Sequence, residues 1–159
     1  TSTTNRLSTS ASVELGAAGV LDLGGGAQTF ASLKGSGVVS NGALAVTGSI
    51  SPAGEGAIGT LTLCADVALS GTYFLDVASD GSCDCVAVKG NVALGGTILS
   101  IVDVGQLERT RQYVILTHTG ERSGTIGATN VPDSRWRVSY RSDGTVRLVF
   151  TTGTIVITR

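Results

Sequence analysis

Apolar residues recur at every second position in short bursts: Val13 and Leu15, Val20 and Leu21 with Leu23, Phe30 and Leu33, Leu44 and Val46, Leu61 and Leu63. A period of two marks a strand with one buried face. Glycines at 16, 19, 24–26, 35, 37, 42, 48 and between 54 and 59 punctuate the bursts, and glycine takes the tight corners that end a strand at little steric cost. Each strand is therefore expected to be short. Two architectures produce such a pattern: an antiparallel sandwich of hairpins, or a parallel solenoid whose coils stack at about 4.8 Å. Sandwiches favour longer strands with turn signals every 8 to 12 residues or about that. Here the bursts are shorter, and similar phrases return after about 20 residues. The pattern favours an all-β parallel solenoid, with an antiparallel β-sandwich or jelly roll as the alternative.

The one candidate helix, residues 104–111, is long enough for a turn or two. Beyond it, residues 112–117, 136–140 and 145–150 read as longer strands, with Ser142-Asp143-Gly144 as a hairpin turn. Residues 1–105 are thus expected to form the coils and residues 106–159 a cap of the same domain. Glycine makes up 23 of 159 residues and charged residues 14%, against averages of about 7% and about 25%; the chain is turn-rich and weakly charged. Small and β-branched residues still supply a core. No apolar run reaches the roughly 20 residues of a membrane-spanning helix. The alternation already under way near Thr1 suggests a processed piece of something longer.

A family resemblance rests on particular phrases. Leu21-Asp22-Leu23, Gln28-Thr29, Ser32-Leu33 and Gly35-Ser36-Gly37, followed by Pro52 and Ile58-Gly59-Thr60-Leu61, resemble the autotransporter-associated, or passenger-associated, β-strand repeat. Asp84, Val86, Val88 and Gly90 are similar to its next coil, and Leu94-Gly95-Gly96-Thr97-Ile98 to the coil after that. Tyr113, Ile115-Leu116-Thr117 and Gly120, with Ser123-Gly124-Thr125 and Val138-Ser139-Tyr140, resemble the closing segments of such passengers. The resemblance covers nearly all of the chain from Val13 onward. It implies a right-handed parallel β-helix, secreted or on a bacterial cell surface.

Chemical motifs are sparse. Gly54, Gly56 and Gly59 fit the dinucleotide glycine pattern, but that pattern works as a strand-to-helix turn, and a strand is expected from Thr60. His118 is the only histidine, too few for a histidine-rich metal site and without partners at triad spacing. Asp76, Asp80 and Asp84 could form a glycosidase pair or ligate calcium; corner aspartates bonded to backbone amides explain them more simply. No cofactor or metal site is expected. Cys64, Cys83 and Cys85 are an odd number of thiols. In an oxidising environment a disulfide is expected. Cys83 and Cys85 leave one strand on the same side, so Cys64 to Cys83 or Cys64 to Cys85 is the expected link. The third thiol is then either buried or joined to another chain.

Charge is unevenly distributed. Residues 1–105 hold three cations against eight acids, and residues 106–159 hold eight arginines against four acids. In a solenoid, this predicts an acidic end and a basic end able to attract head to tail. Arg135, Arg137 and Arg141 alternate with Trp136, Val138 and Tyr140, so the arginines are expected to face solvent while the aromatics cover the core. An acidic glycan is the alternative partner for Arg135, Trp136, Arg137 and Arg141; a net charge of -1 argues against nucleic acid. The sequence thus reads as a non-enzymatic extracellular structural or adhesive protein that self-associates into a filament or matrix. The alternative is a monomeric passenger module that binds surface glycans, and a carbohydrate-active enzyme built on the three aspartates is a distant third.

Overall fold

A computed structural model describes residues 4–128 and 130–153, the side chain of Ala128 excepted. The fold is all-β, and its strands join in one mixed, unclosed sheet. In chain order these are β1 (Ser12–Leu15), β2 (Val20–Gly35), β3 (Val38–Pro52), β4 (Thr60–Leu69), β5 (Thr72–Leu75), β6 (Cys85–Val88) and β7 (Val92–Ala93). They are followed by β8 (Ile98–Ile101), β9 (Gln112–His118), β10 (Arg122–Ser123), β11 (Gly127–Ala128), β12 (Trp136–Tyr140) and β13 (Thr145–Phe150). The expected helix at 104–111 is reduced to a 3-10 turn, Val104–Gln106, whose amino end is capped by the Asp103 carboxylate. Among the described residues no helix is long and apolar enough to cross a membrane.

Nearly all strand pairs are parallel, and they fall into three ladders. The first aligns Val20, Val38, Thr62, Ala87 and Thr117, residues drawn from β2, β3, β4, β6 and β9. In the second, Thr29, Ala45, Ala68, Ala93 and Ser123 align across β2, β3, β4, β7 and β10. The third sets Val13, Leu33, Ile50, Tyr73 and Leu99 side by side across β1, β2, β3, β5 and β8, with β11 beyond. From β2 onward the chain visits the three in the same order on every circuit. Antiparallel pairing between named strands is confined to β9–β13 and β13–β12, so a sandwich of hairpins is not what the described residues form.

Each ladder directs alternate residues inward, and like stacks on like. Val39, Leu63 and Val88 form one buried row, Leu44, Val67 and Val92 a second, and Leu33, Ile50, Tyr73 and Leu99 a third. Full burial of one such side chain contributes about 1.5–3 kcal/mol. The Tyr73 hydroxyl, inside the core, donates to the Ile115 carbonyl at 2.7 Å, which satisfies a polar atom that would otherwise be costly to bury.

The strands are longer than the glycine punctuation predicts. β2 and β3 run for 16 and 15 residues straight through glycines. Register shifts between Asp22 and Gly26, and again between Phe30 and Ser32, let β2 bend while its pairing with β3 resumes on either side. Glycine is needed where corners of successive circuits touch. Gly35 holds φ at +106°, and a Cβ there would overlap the Leu15 carbonyl oxygen; one at Gly71 would overlap that of Gly48. The hairpin β12–β13, with its turn at 142–144, forms as its sequence predicts and covers the outer edge of β9.

Candidate functional site

The densest polar chemistry lies where the 54–59 loop meets the end of β5 and the start of β6. Asp84 is fully buried. Its Oδ1 accepts from the Gly59 amide at 2.8 Å and its Oδ2 from the Asp76 amide at 3.1 Å. The Asp76 carboxylate, also buried, accepts from the Gly56 amide with both oxygens at 3.1 Å. Two carboxylates therefore hold the loop against the strands below it. Burial pushes the Asp84 carboxyl up to about 7, with the neighbouring Asp76 charge acting in the same direction against the two amide donors. Burial also raises Asp76, helped by Glu55. Asp80 is separate: it closes a surface turn by accepting from the Ser82 amide and hydroxyl at 2.8 and 2.7 Å. The three aspartates act as backbone-bonding corner residues, as the simpler sequence reading has it. Gly59 leads directly into β4, so the glycine pattern here has no helix terminus to offer a pyrophosphate.

The expected disulfide is not formed: Cys64, Cys83 and Cys85 are all free thiols. Register gives the reason. Cys85 lies opposite Thr60, four residues before Cys64, or about 13 Å along the strand, whereas a disulfide needs Cα atoms within about 7 Å. Cys83 lies further back still, and its thiol donates to the Val114 carbonyl at 3.4 Å. Burial pushes the Cys83 and Cys85 thiols up to about 12 and about 11. His118 is half-buried at the end of β9, with Nδ1 donating to the Gly120 carbonyl at 2.8 Å. Among the described residues no group of three or more His, Cys, Asp and Glu is placed to hold a metal ion.

The residues expected to meet a glycan are dispersed. Trp136 is only 4% exposed, packed between Tyr113 and Phe150 with ring centroids at 6.1 and 5.4 Å; it cannot offer a face to a sugar. Arg137 leaves β12 on the opposite side, paired with Val149. Arg141 lies at the hairpin turn, about 20 Å along the strand from Arg135. Arg135 instead folds over the half-buried Phe150 ring at 4.7 Å from its centroid and meets Arg109, which approaches the same ring at 5.0 Å. Sequence reading missed Arg109, because only the return of β13 brings Phe150 beneath the loop after β8.

A groove of about 560 Å³ crosses the outer face of the second ladder, floored by Thr29, Ala45, Ala68 and Ala93. On its rim the Asp66 carboxylate accepts from the Asn91 amide, and the Asn91 side-chain oxygen from the Glu121 amide, each at 2.8 Å. These polar groups tie successive corners together.

Charge along the chain also differs from expectation. Residues 1–52 carry Arg6 and Lys34 against Glu14 and Asp22 and are neutral. Lys34 and Glu14 pair across β2 and β1 at 2.9 Å. The acid excess belongs to the middle circuits, residues 53–105, where the exposed Glu55, Asp66, Asp80 and Asp103 outnumber Lys89 and two further acids, Asp76 and Asp84, are buried. The middle of the chain is acidic and residues 106–159 are basic, while residues 1–52 are neutral. No family model, curated protein or solved structure matches the chain.

Proposed function

We propose that the chain is a non-enzymatic structural segment of an extracellular or cell-surface protein, in which the three ladders wind as a right-handed parallel β-helix that adds further coils at its β1 end. The observation that carries this reading is the one-way edge structure. At one end the antiparallel hairpin covers β9. At the other, β1 and the Val20 rung of β2 have no strand on their outer side among the described residues, with Val20 68% and Leu7 47% exposed. Such an edge accepts another parallel strand, either from a second copy joined head to tail through its β12, which ends the sheet path and runs parallel to β9, or from more of the same protein. The carboxylates of Asp76, Asp80 and Asp84, engaged with backbone amides, support a scaffold more than a catalyst. So does the resemblance of the repeat phrases to autotransporter passengers.

Sedimentation velocity from micromolar to millimolar concentration tests the reading. Because the β1 end is neutral, head-to-tail growth should persist in high salt, and Val20→Asp at this exposed position should abolish it. A strictly monomeric chain at every concentration, or growth indifferent to Val20→Asp, overturns assembly through this edge.

A further inference from the structure

We propose that the Arg109 guanidinium, held over Phe150 beside the Arg135–Asp133 pair, is a binding site for the carboxylate of a uronate residue in an acidic polysaccharide. Three separate segments build this site. The loop after β8 supplies Arg109, the approach to β12 supplies Asp133 and Arg135, and the end of β13 supplies Phe150. Arg135 already holds a carboxylate: Nε lies 3.1 Å from each Asp133 oxygen, Nη2 lies 2.6 Å from Oδ2, and its backbone amide donates to Oδ1 at 2.9 Å. Those hydrogen bonds hold the Asp133 carboxyl down to about 2, so it stays ionised and committed to Arg135.

Arg109 is the unmatched member. Its Nη2 is 3.9 Å from Asp133 Oδ2, beyond hydrogen-bond distance, and its side chain is 65% exposed. One carboxylate thus faces two guanidiniums gathered on one ring, which leaves one net positive charge and an open fork of donors. The neighbouring pair shows what fills such a fork: a planar carboxylate engaged by two nitrogens of one guanidinium. The ring attraction at 5.0 Å restrains Arg109 in advance, so less freedom is lost on binding.

The number of charges selects the ligand class. A nucleic acid presents a phosphate about every 1.7 Å along a duplex and would meet Asp133 as well as Arg109. A polyuronate carries one planar carboxylate per sugar ring, which suits a single open fork.

Calorimetric titration with trigalacturonate at low salt tests the assignment, with its methyl ester, a sulfated trisaccharide and a thymidine trinucleotide as comparison ligands. Arg109→Gln should weaken trigalacturonate binding about tenfold, and Arg109→Lys, which keeps the charge but loses the fork, about threefold or more. Arg141→Gln, at the far end of β12, should leave the affinity within about twofold, and the methyl ester should not bind. Matching thermal melts establish that the variants are folded. The proposal is overturned if the unaltered chain does not bind trigalacturonate, if Arg141→Gln is as damaging as Arg109→Gln, or if the sulfated or nucleotide ligand binds as tightly.

Discussion

The buried carboxyl of Asp84 gives this protein an inverted pH dependence of stability. The rise from an ordinary 3.8 to about 7 corresponds to about 4 kcal/mol at about 1.36 kcal/mol per tenfold change in proton affinity. Relaxation and water entry bring the realised effect to about 2–4 kcal/mol. Between about pH 4 and pH 7 the folded chain holds a proton that the unfolded chain has released, so stability falls as pH rises through this window and levels off above about pH 8. Asp76 is raised as well and adds in the same direction. The carboxyls of Asp22, Asp80, Asp133 and Asp143 are lowered; their contribution is complete above the ordinary carboxylate range and is lost only in stronger acid. Cys83 and Cys85 enter only as the unfolded thiols ionise, near pH 9. The two buried carboxyls therefore act in the interval from about pH 5 to about pH 8, and Asp84→Asn reports the Asp84 share of the slope there.

Urea unfolding followed by Trp136 fluorescence reads the effect directly, since this single tryptophan is buried. Unaltered protein should be more stable at about pH 5 than at about pH 8 by about 2–4 kcal/mol. Asp84→Asn keeps the shape but turns one amide hydrogen toward a backbone donor, costing about 1–3 kcal/mol at the lower pH. It removes the buried charge at the higher pH, so the two stability curves should converge or cross. Equal stability of the unaltered protein at both values, or an unchanged slope in Asp84→Asn, would refute the reasoning.

Three further outcomes follow from packing. Raising the Cys83 and Cys85 thiols from 9.0 to about 12 and about 11 lowers their thiolate fractions about 1000-fold and about 100-fold, so mass-mapped alkylation at pH 8 or so should be slower at both sites by at least those factors than in the unfolded chain; comparable rates would contradict their burial. Gly35→Ala and Gly71→Ala force a Cβ into a backbone carbonyl and should each cost about 2–4 kcal/mol in thermal unfolding. Gly25→Ala, with positive φ but nothing within 4 Å, should cost only about 1 kcal/mol, and equal losses at all three would show that stacked corners are not close-packed. Tyr73→Phe removes the bond to Ile115 and should destabilise by about 1–2 kcal/mol; an unchanged urea midpoint would mean that the hydroxyl is not buried against that carbonyl.

What the sequence discloses depends on whether a feature is local. Leu61 with Leu63, Leu44 with Val46, and the hairpin from Trp136 to Phe150 are legible because alternation and a turn at Asp143-Gly144 decide them within a few residues. The Asp143 side chain accepts from the Thr145 amide at 3.0 Å, and Gly144 takes φ of +78°, as such a turn requires. Phase is less legible: Val20, Leu21 and Leu23 look alike, yet Val20 faces outward because Asp22 and Asn41 bond across the corner at 2.8 Å and fix which side is exposed. Register between circuits is not local. The aligned residues Val20, Val38, Thr62, Ala87 and Thr117 are 18, 24, 25 and 30 positions apart, so a fixed repeat of about 20 misplaces Cys64 relative to Cys85, and the antiparallel return of β13 hides the meeting of Arg109 with Phe150.

That irregular spacing also changes what the charge asymmetry can drive. With residues 1–52 neutral and the acid excess in the middle circuits, the basic cap of one copy would find its electrostatic complement on the flank of another, not at its β1 edge. Contacts between cap and flank would be exposed ion pairs, weakened by added salt because screening acts within about 10 Å at ordinary ionic strength. Growth through the β1 edge rests on backbone pairing and on apolar Val20 and Leu7, which salt leaves intact or strengthens. Salt dependence therefore separates the two modes in one measurement: association that survives added salt and fails with Val20→Asp runs along the ladders, whereas association that salt abolishes runs sideways through the arginines.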